Sequence, residues 1–190
     1  MAGEITAVRN FWRDCRWVKP TVSDRLWVHR NLSIIPQIDG AMDLIDANER
    51  RAVSSGGLYT KEISYCCGMA LVAENKIALS HIVQPSAAWT ADEVQRQVDF
   101  LRNTQILEPT EVVLAQMHVY SELLNDDDAL KSSLYVAVRA LTIVFGDGFY
   151  KKSAYITGFR GQSWDTSCAL KVTKASGVSV AMPNLPKYEE

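Results

Sequence analysis

Hydrophobic and polar positions repeat with two different periods along this chain, and the change of period marks its elements. From Leu58 onward the pattern is β-like. Apolar runs at Met69–Ala73 and Ile77–Leu79 flank the short polar turn Glu74-Asn75-Lys76, which predicts a hairpin. Both runs are apolar on both faces, so both sides of their sheet should be covered. A helical period follows. Val94, Val98 and Leu101 recur at i, i+4 and i+7, with Thr90 and Glu93 at capping-box spacing. Pro109 ends that region, and Val112–Ala115 begins another strand. A second helix is predicted with Asp126-Asp127-Asp128 in its first turn, where acids suit the positive end of the helix dipole. Its apolar stripe is Leu130, Leu134, Ala137, Val138, Leu141 and Phe145, and Gly146 is its C-cap. Ala154–Thr157 and Ala169–Thr173 read as strands.

The first part of the chain is less regular. Residues 1–30 carry Phe11, Trp12, Trp17 and Trp27 among Arg and Asp and read as an amphipathic helix packed on the body. Leu32–Ile35 reads as a short strand ended by Pro36. The polar stretch 46–57 closes on Ser54-Ser55-Gly56-Gly57 and reads as a flexible connection. The sum is a mixed, mostly antiparallel α/β fold: a central β-sheet or sandwich core covered by helices. One domain is expected over 1–190, an N-terminal helical and aromatic region (1–57) packed on an α/β core (58–190).

Composition narrows the function classes. At 190 residues, 47% hydrophobic and 22% charged, the chain suits one folded domain. Twenty Lys and Arg against twenty-two Asp and Glu leave a net charge of -2 and no basic stripe, so no nucleic-acid partner is expected. Trp-rich basic stretches can stack on bases, but Asp14 and Asp24 interrupt the charge here, which favours core anchoring. The opening residues lack a charged stretch leading into an apolar core, and no apolar run approaches about 20 residues. The expectation is a soluble, cytoplasmic chain with no membrane partner.

Four cysteines (Cys15, Cys66, Cys67, Cys168) form no C-x-x-C, and adjacent Cys66 and Cys67 cannot span a normal disulfide without strain. With three scattered histidines, neither a metal nor another cofactor is expected. Asp126-Asp127-Asp128 reads as a solvated first turn rather than a metal site. Gly146-Asp147-Gly148 reads as a turn and lacks the spacing of a phosphate loop.

The chemistry that remains is a thiol near an imidazole. A cysteine nucleophile needs a base that raises its thiolate fraction at neutral pH. With Glu74-Asn75 as the hairpin loop, Ala73 pairs with Lys76 and His81 faces Gly68. Cys66 then lies diagonally from His81 on the same face and Cys67 points away. A three-residue loop would reverse that choice.

Thr60, five intervening residues, Cys66, and then His81 on the next strand resemble the Thr/Cys/His arrangement of the glutamine deamidases. That superfamily includes the chemoreceptor glutamine deamidases, Burkholderia lethal factor and the catalytic domain of the cytotoxic necrotizing factors. The likeness covers about residues 58–83. Ser64-Tyr65-Cys66 keeps the serine of the family's Ser-Gly-Cys or Gly-Ser-Cys run but not its glycine. The resemblance implies Cys66 as nucleophile, His81 as base and then acid, and Thr60 as the group orienting His81. It also implies a thioester intermediate, a protein substrate bearing the target glutamine, and the Cys66 backbone N–H as an oxyanion donor. Several members are toxins or bacterial effectors, so secretion or delivery into a host cell is the corresponding expectation.

Other readings stand beside it. His81 reads equally as a core histidine satisfied by the backbone, His29 as surface structure, and His118 as an alternative base on a neighbouring strand. Gly158-Phe159-Arg160-Gly161-Gln162 reads as an exposed loop, a candidate substrate rim. A non-enzymatic interaction module (a toxin neutraliser or adaptor) and a related cysteine amidase or protease are the competing functions.

Overall fold

The polar turn closes as a two-residue loop. Ala73 N–H donates to the Lys76 carbonyl at 2.9 Å, and the strands pair outward from Val72 opposite Ile77. In the computed structural model, which describes residues 2–18, 42–116, 132–157 and 168–181, these strands are β5 (Cys67–Val72) and β6 (Ile77–Ile82). They sit in a six-stranded sheet with β1 (Arg16–Val18), β3 (Arg50–Val53), β7 (Glu111–Gln116) and β8 (Ser153–Thr157), in the order β1-β8-β7-β5-β6-β3. A four-stranded sheet contains β2 (Met42–Leu44), β4 (Gly57–Ile63), β9 (Cys168–Thr173) and β10 (Gly177–Ala181), in the order β10-β9-β4-β2. Five of the eight described strand pairings are antiparallel, which makes the fold mixed α/β and mostly antiparallel.

The doubly apolar strands have the two-sided cover their pattern predicts. On one face of the large sheet, Cys67, Met69, Leu71, Ala78, Ile82, Val112 and Leu114 join side chains from three helices in one core. These are α1 (Ala2–Asp14), α2 (Thr90–Thr104) and α3 (Ser133–Phe145). On the other face, Ala70, Ile77, Leu79, Val113 and Ala115 meet Leu58, Ile63, Leu170 and Val172 of the small sheet. The result is a helix–sheet–sheet stack. Each fully buried Leu contributes about 1.5–3 kcal/mol relative to exposure. Phe11 of α1 is fully buried against Phe149 and Tyr150, at ring-centroid distances of 6.0 and 5.9 Å, so this aromatic does anchor the core. Among the described residues, no helix is long and apolar enough to cross a membrane.

Four sequence expectations are corrected. The 46–57 stretch is not a plain connection: it holds β3, paired antiparallel to β6, and ends at the first residue of β4. Its charge conceals an edge strand, in which Arg50 reaches Glu93 and Arg51 reaches Asp43. The residues before 58 also form more than a packed-on helical region, since β1 and β3 lie in the large sheet and β2 in the small one. There is no capping box on α2, because a 3-10 turn (Ala87–Trp89) precedes it and the Thr90 hydroxyl donates to the Ser86 carbonyl. The Glu93 carboxylate instead accepts from Arg50, Arg96 and Gln97, and Ser80 donates to Gln97, tying α2 to β6. Finally, α3 starts at Ser133 under a Ser132 cap that accepts from Tyr135 N–H, so the aspartate triplet is not in its first turn. That triplet, Leu130, Trp27, His29, Leu32–Pro36, His118 and the Gly158–Gln162 loop lie outside the described residues.

Candidate functional site

A bulge in β4 brings two same-face residues to the site against the ordinary alternation of a strand. Thr60 pairs with Leu170, but Ile63 pairs with Cys168, so β4 carries one residue more than β9 across this step. Glu62 absorbs the bulge with a φ of 60°, in the left-handed region. Leu58 and Thr60 alternate regularly and the extra residue returns Ile63 to their side, so all three are buried, and Leu58 and Ile63 share the core between the two sheets. Without the extra residue, Thr60 and Ile63 would point to opposite sides.

Across the gap, His81 pairs with Gly68 as the two-residue loop requires. A Cβ on Gly68 would lie 2.4 Å from Leu170 Cδ1 and 2.5 Å from Ile63 Cδ1. Only glycine lets the sheets approach this closely beside His81. The ring is 4% exposed, and its Nδ1 is 2.8 Å from Thr60 Oγ1. The backbone is held as firmly: His81 N–H donates to the Glu49 carbonyl, and Asn48 N–H donates to the His81 carbonyl. Thr60 and His81, predicted as partners, are in direct contact.

The other ring nitrogen, Nε2, is buried and has no hydrogen-bond partner. With Nδ1–H donating to Thr60 Oγ1, Nε2 keeps a free lone pair, the form a general base needs. The opposite tautomer would bury an unpaired N–H, which native structures rarely do. Burial lowers the His81 pKa, while Glu62 and Asp46 pull it partly back up. An imidazole that is neutral at physiological pH is ready to accept a proton.

A stability consequence follows from that direction. Below its ordinary pKa near 6.5, the unfolded chain protonates His81 more readily than the folded one does. His81 therefore contributes full stability above about pH 6.5 and loses it as pH falls toward the lowered folded value. Urea midpoints of the wild-type chain should drop more steeply below pH 6.5 than those of His81→Gln. Equal slopes would show that the ring titrates normally.

Cys66 comes two residues before Gly68, the residue paired with His81. It closes the bend at residues 64–66, just before β5, and is half-buried. Burial pushes its thiol pKa up, and the backbone N–H groups of Gln84 and of Cys66 itself pull it down. Since His81 Nε2 has no partner, Cys66 and His81 are not hydrogen-bonded in this state. Catalytic hydrogen bonds are often open before substrate arrives. Cys67 is a different kind of residue. It is fully buried in the helix-side core with Met69 and Leu71, and its thiol lies 3.7 Å from the Gly68 carbonyl oxygen. The hairpin register thus turns Cys67 to the helix side, away from His81, as the two-residue loop predicts.

Two residues not singled out in the sequence also touch this region. Gln116 at the end of β7 donates through Nε2 to the Tyr65 carbonyl at 3.0 Å, and Ser133 at the start of α3 donates to the same carbonyl at 2.8 Å. Gln116 Nε2 also lies 3.3 Å from Ser133 Oγ, and Gln116 Oε1 is buried without a partner. The only signal in the sequence is a polar residue terminating the apolar run Val112–Ala115.

The class these features define is a mixed α/β two-sheet protein with a buried Thr–His pair on β4 and β6 and a half-buried cysteine just before β5, the strand paired with β6. No protein-family model matches the chain, and no curated protein matches it.

Proposed function

We propose that the chain is a cysteine-dependent deamidase that converts a glutamine side chain of a protein substrate to glutamate. The observation that carries this reading is the 2.8 Å Thr60–His81 contact, which leaves His81 Nε2 free on the strand next to Cys66. The Thr/Cys/His resemblance assigns these three residues the matching roles.

The chemistry would run in two steps. His81 Nε2 takes the Cys66 proton as sulfur attacks the glutamine Cδ, and the carbonyl oxygen becomes an oxyanion facing the Cys66 N–H. One such donor is worth about 2.7–4 kcal/mol in comparable sites. The imidazolium then protonates the nitrogen, the C–N bond breaks, and ammonia leaves a thioester. Water attacks the thioester with His81 again as base, the C–S bond breaks, and glutamate and the thiol are regenerated. An amine in place of water would give transglutamination. Since several members of the resembled superfamily are toxins or bacterial effectors, a host protein is the substrate class to test first.

The pH dependence of Cys66 alkylation by iodoacetamide, located by peptide mass spectrometry, tests the proposed pair. His81→Ala should move the profile toward higher pH, because the base is lost. Coincident profiles would remove His81 from the mechanism and leave a non-enzymatic interaction module as the better account.

A further inference from the structure

We propose that Gln116 and Ser133 are positioning residues for this reaction, a clamp on the Tyr65 carbonyl that aims the Cys66 backbone N–H at the oxyanion. The inference rests on Cys66 being the nucleophile. The bend at residues 64–66 belongs to no strand, so no sheet hydrogen-bond ladder orients its peptides. The two side-chain donors act there instead, at 3.0 and 2.8 Å from one carbonyl oxygen. A peptide unit is planar, and none in the described residues is cis. Fixing the Tyr65 C=O therefore fixes the Cys66 N–H, which points the opposite way from the same plane.

Two features separate this arrangement from ordinary packing. Both side chains are at least nine-tenths buried, and they come from different elements, the end of β7 and the first residue of α3. Gln116 also keeps its place while its Oε1 goes unpaired. Packing alone does not call for a buried amide with an unpaired oxygen, whereas its Nε2 donates to the Tyr65 carbonyl and to Ser133 Oγ. The amide orientation is set by the network, since a flipped Gln116 would place Oε1 against the Tyr65 carbonyl oxygen.

The same N–H also lies against the Cys66 thiol and favours its thiolate, so the clamp can be read without a substrate. The experiment is the iodoacetamide pH profile of Cys66 in the full chain, for wild type, Gln116→Met and Ser133→Ala, beside each melting curve. Each variant alone tests the clamp if the other fails to fold. The expected result is a shift of about one pH unit upward, or about tenfold slower alkylation near neutrality, in a cooperatively melting protein. A purely structural role would lower the melting temperature and leave the profile in place, which would overturn the clamp. If His81→Ala still shifts the profile in that case, the deamidase reading survives alone. A wild-type profile that neither His81→Ala nor the clamp variants move overturns both.

Discussion

Cys66→Ser should abolish formation of the thioester while leaving the fold intact. A serine hydroxyl is far less acidic than a thiol, so a base that suffices for the thiol does not ionise the hydroxyl. Turnover, measured as ammonia release from a pool of glutamine-containing peptides, should fall on the order of 10³-fold or more. The substitution is nearly isosteric and the site is only half-buried, so stability should change by less than about 0.5 kcal/mol. Hydroxylamine offers a second readout, because it captures a thioester as a hydroxamate, and Cys66→Ser should yield none. Cys67→Ser is the internal control. Its thiol faces the helix-side core, so activity should persist in any fraction that folds. Full activity in Cys66→Ser with loss in Cys67→Ser would mean that the nucleophile is the neighbouring residue, against the register of the hairpin.

Thr60→Val should impair turnover by about 10²-fold or more, with Cys66 still open to alkylation. The hydroxyl does not meet the thiol; it holds His81 Nδ1 and so selects the tautomer whose Nε2 can accept a proton. Valine keeps the β-branched shape and the strand preference, so β4 and its bulge should form as before. The cost is the buried Nδ1 left without a partner, about 1–3 kcal/mol, or a melting temperature lowered by a few degrees for a chain of this size. Ammonia release, alkylation and melting measured on one preparation separate these effects. Wild-type turnover would make Thr60 an ordinary strand residue.

Much of the scaffold was legible locally. The Glu74-Asn75 tip and the flanking apolar runs specify the hairpin, its register and the helix-side face of Cys67, because strand alternation needs only neighbours along the chain. The same holds for the apolar stripe of α3 and its glycine cap, where Gly146 adopts a φ of 71° and its N–H donates to the Thr142 carbonyl. The 3.6-residue period of α2 was visible too, but its start was not. The preceding 3-10 turn and the pull of Arg50 on Glu93 depend on a strand far away in sequence. β3 was hidden for a related reason: on a sheet edge, charge and solvent exposure look like a loop.

Local pattern is enough to specify the mixed α/β class, the hairpin that aligns His81 with Gly68, and the residue types available for thiol chemistry. Each follows from short-range periodicity and side-chain chemistry. The packing of distant segments sets Thr60 against His81, brings Ile63 back to the same side through the β4 bulge, and lets the two sheets meet closely at Gly68. It also decided that Gln116 and Ser133, 51 and 68 residues beyond Tyr65, converge on its carbonyl. The physical reason is the steep geometry of a hydrogen bond. A contact near 3 Å between distant segments depends on how whole layers pack, which no local pattern encodes.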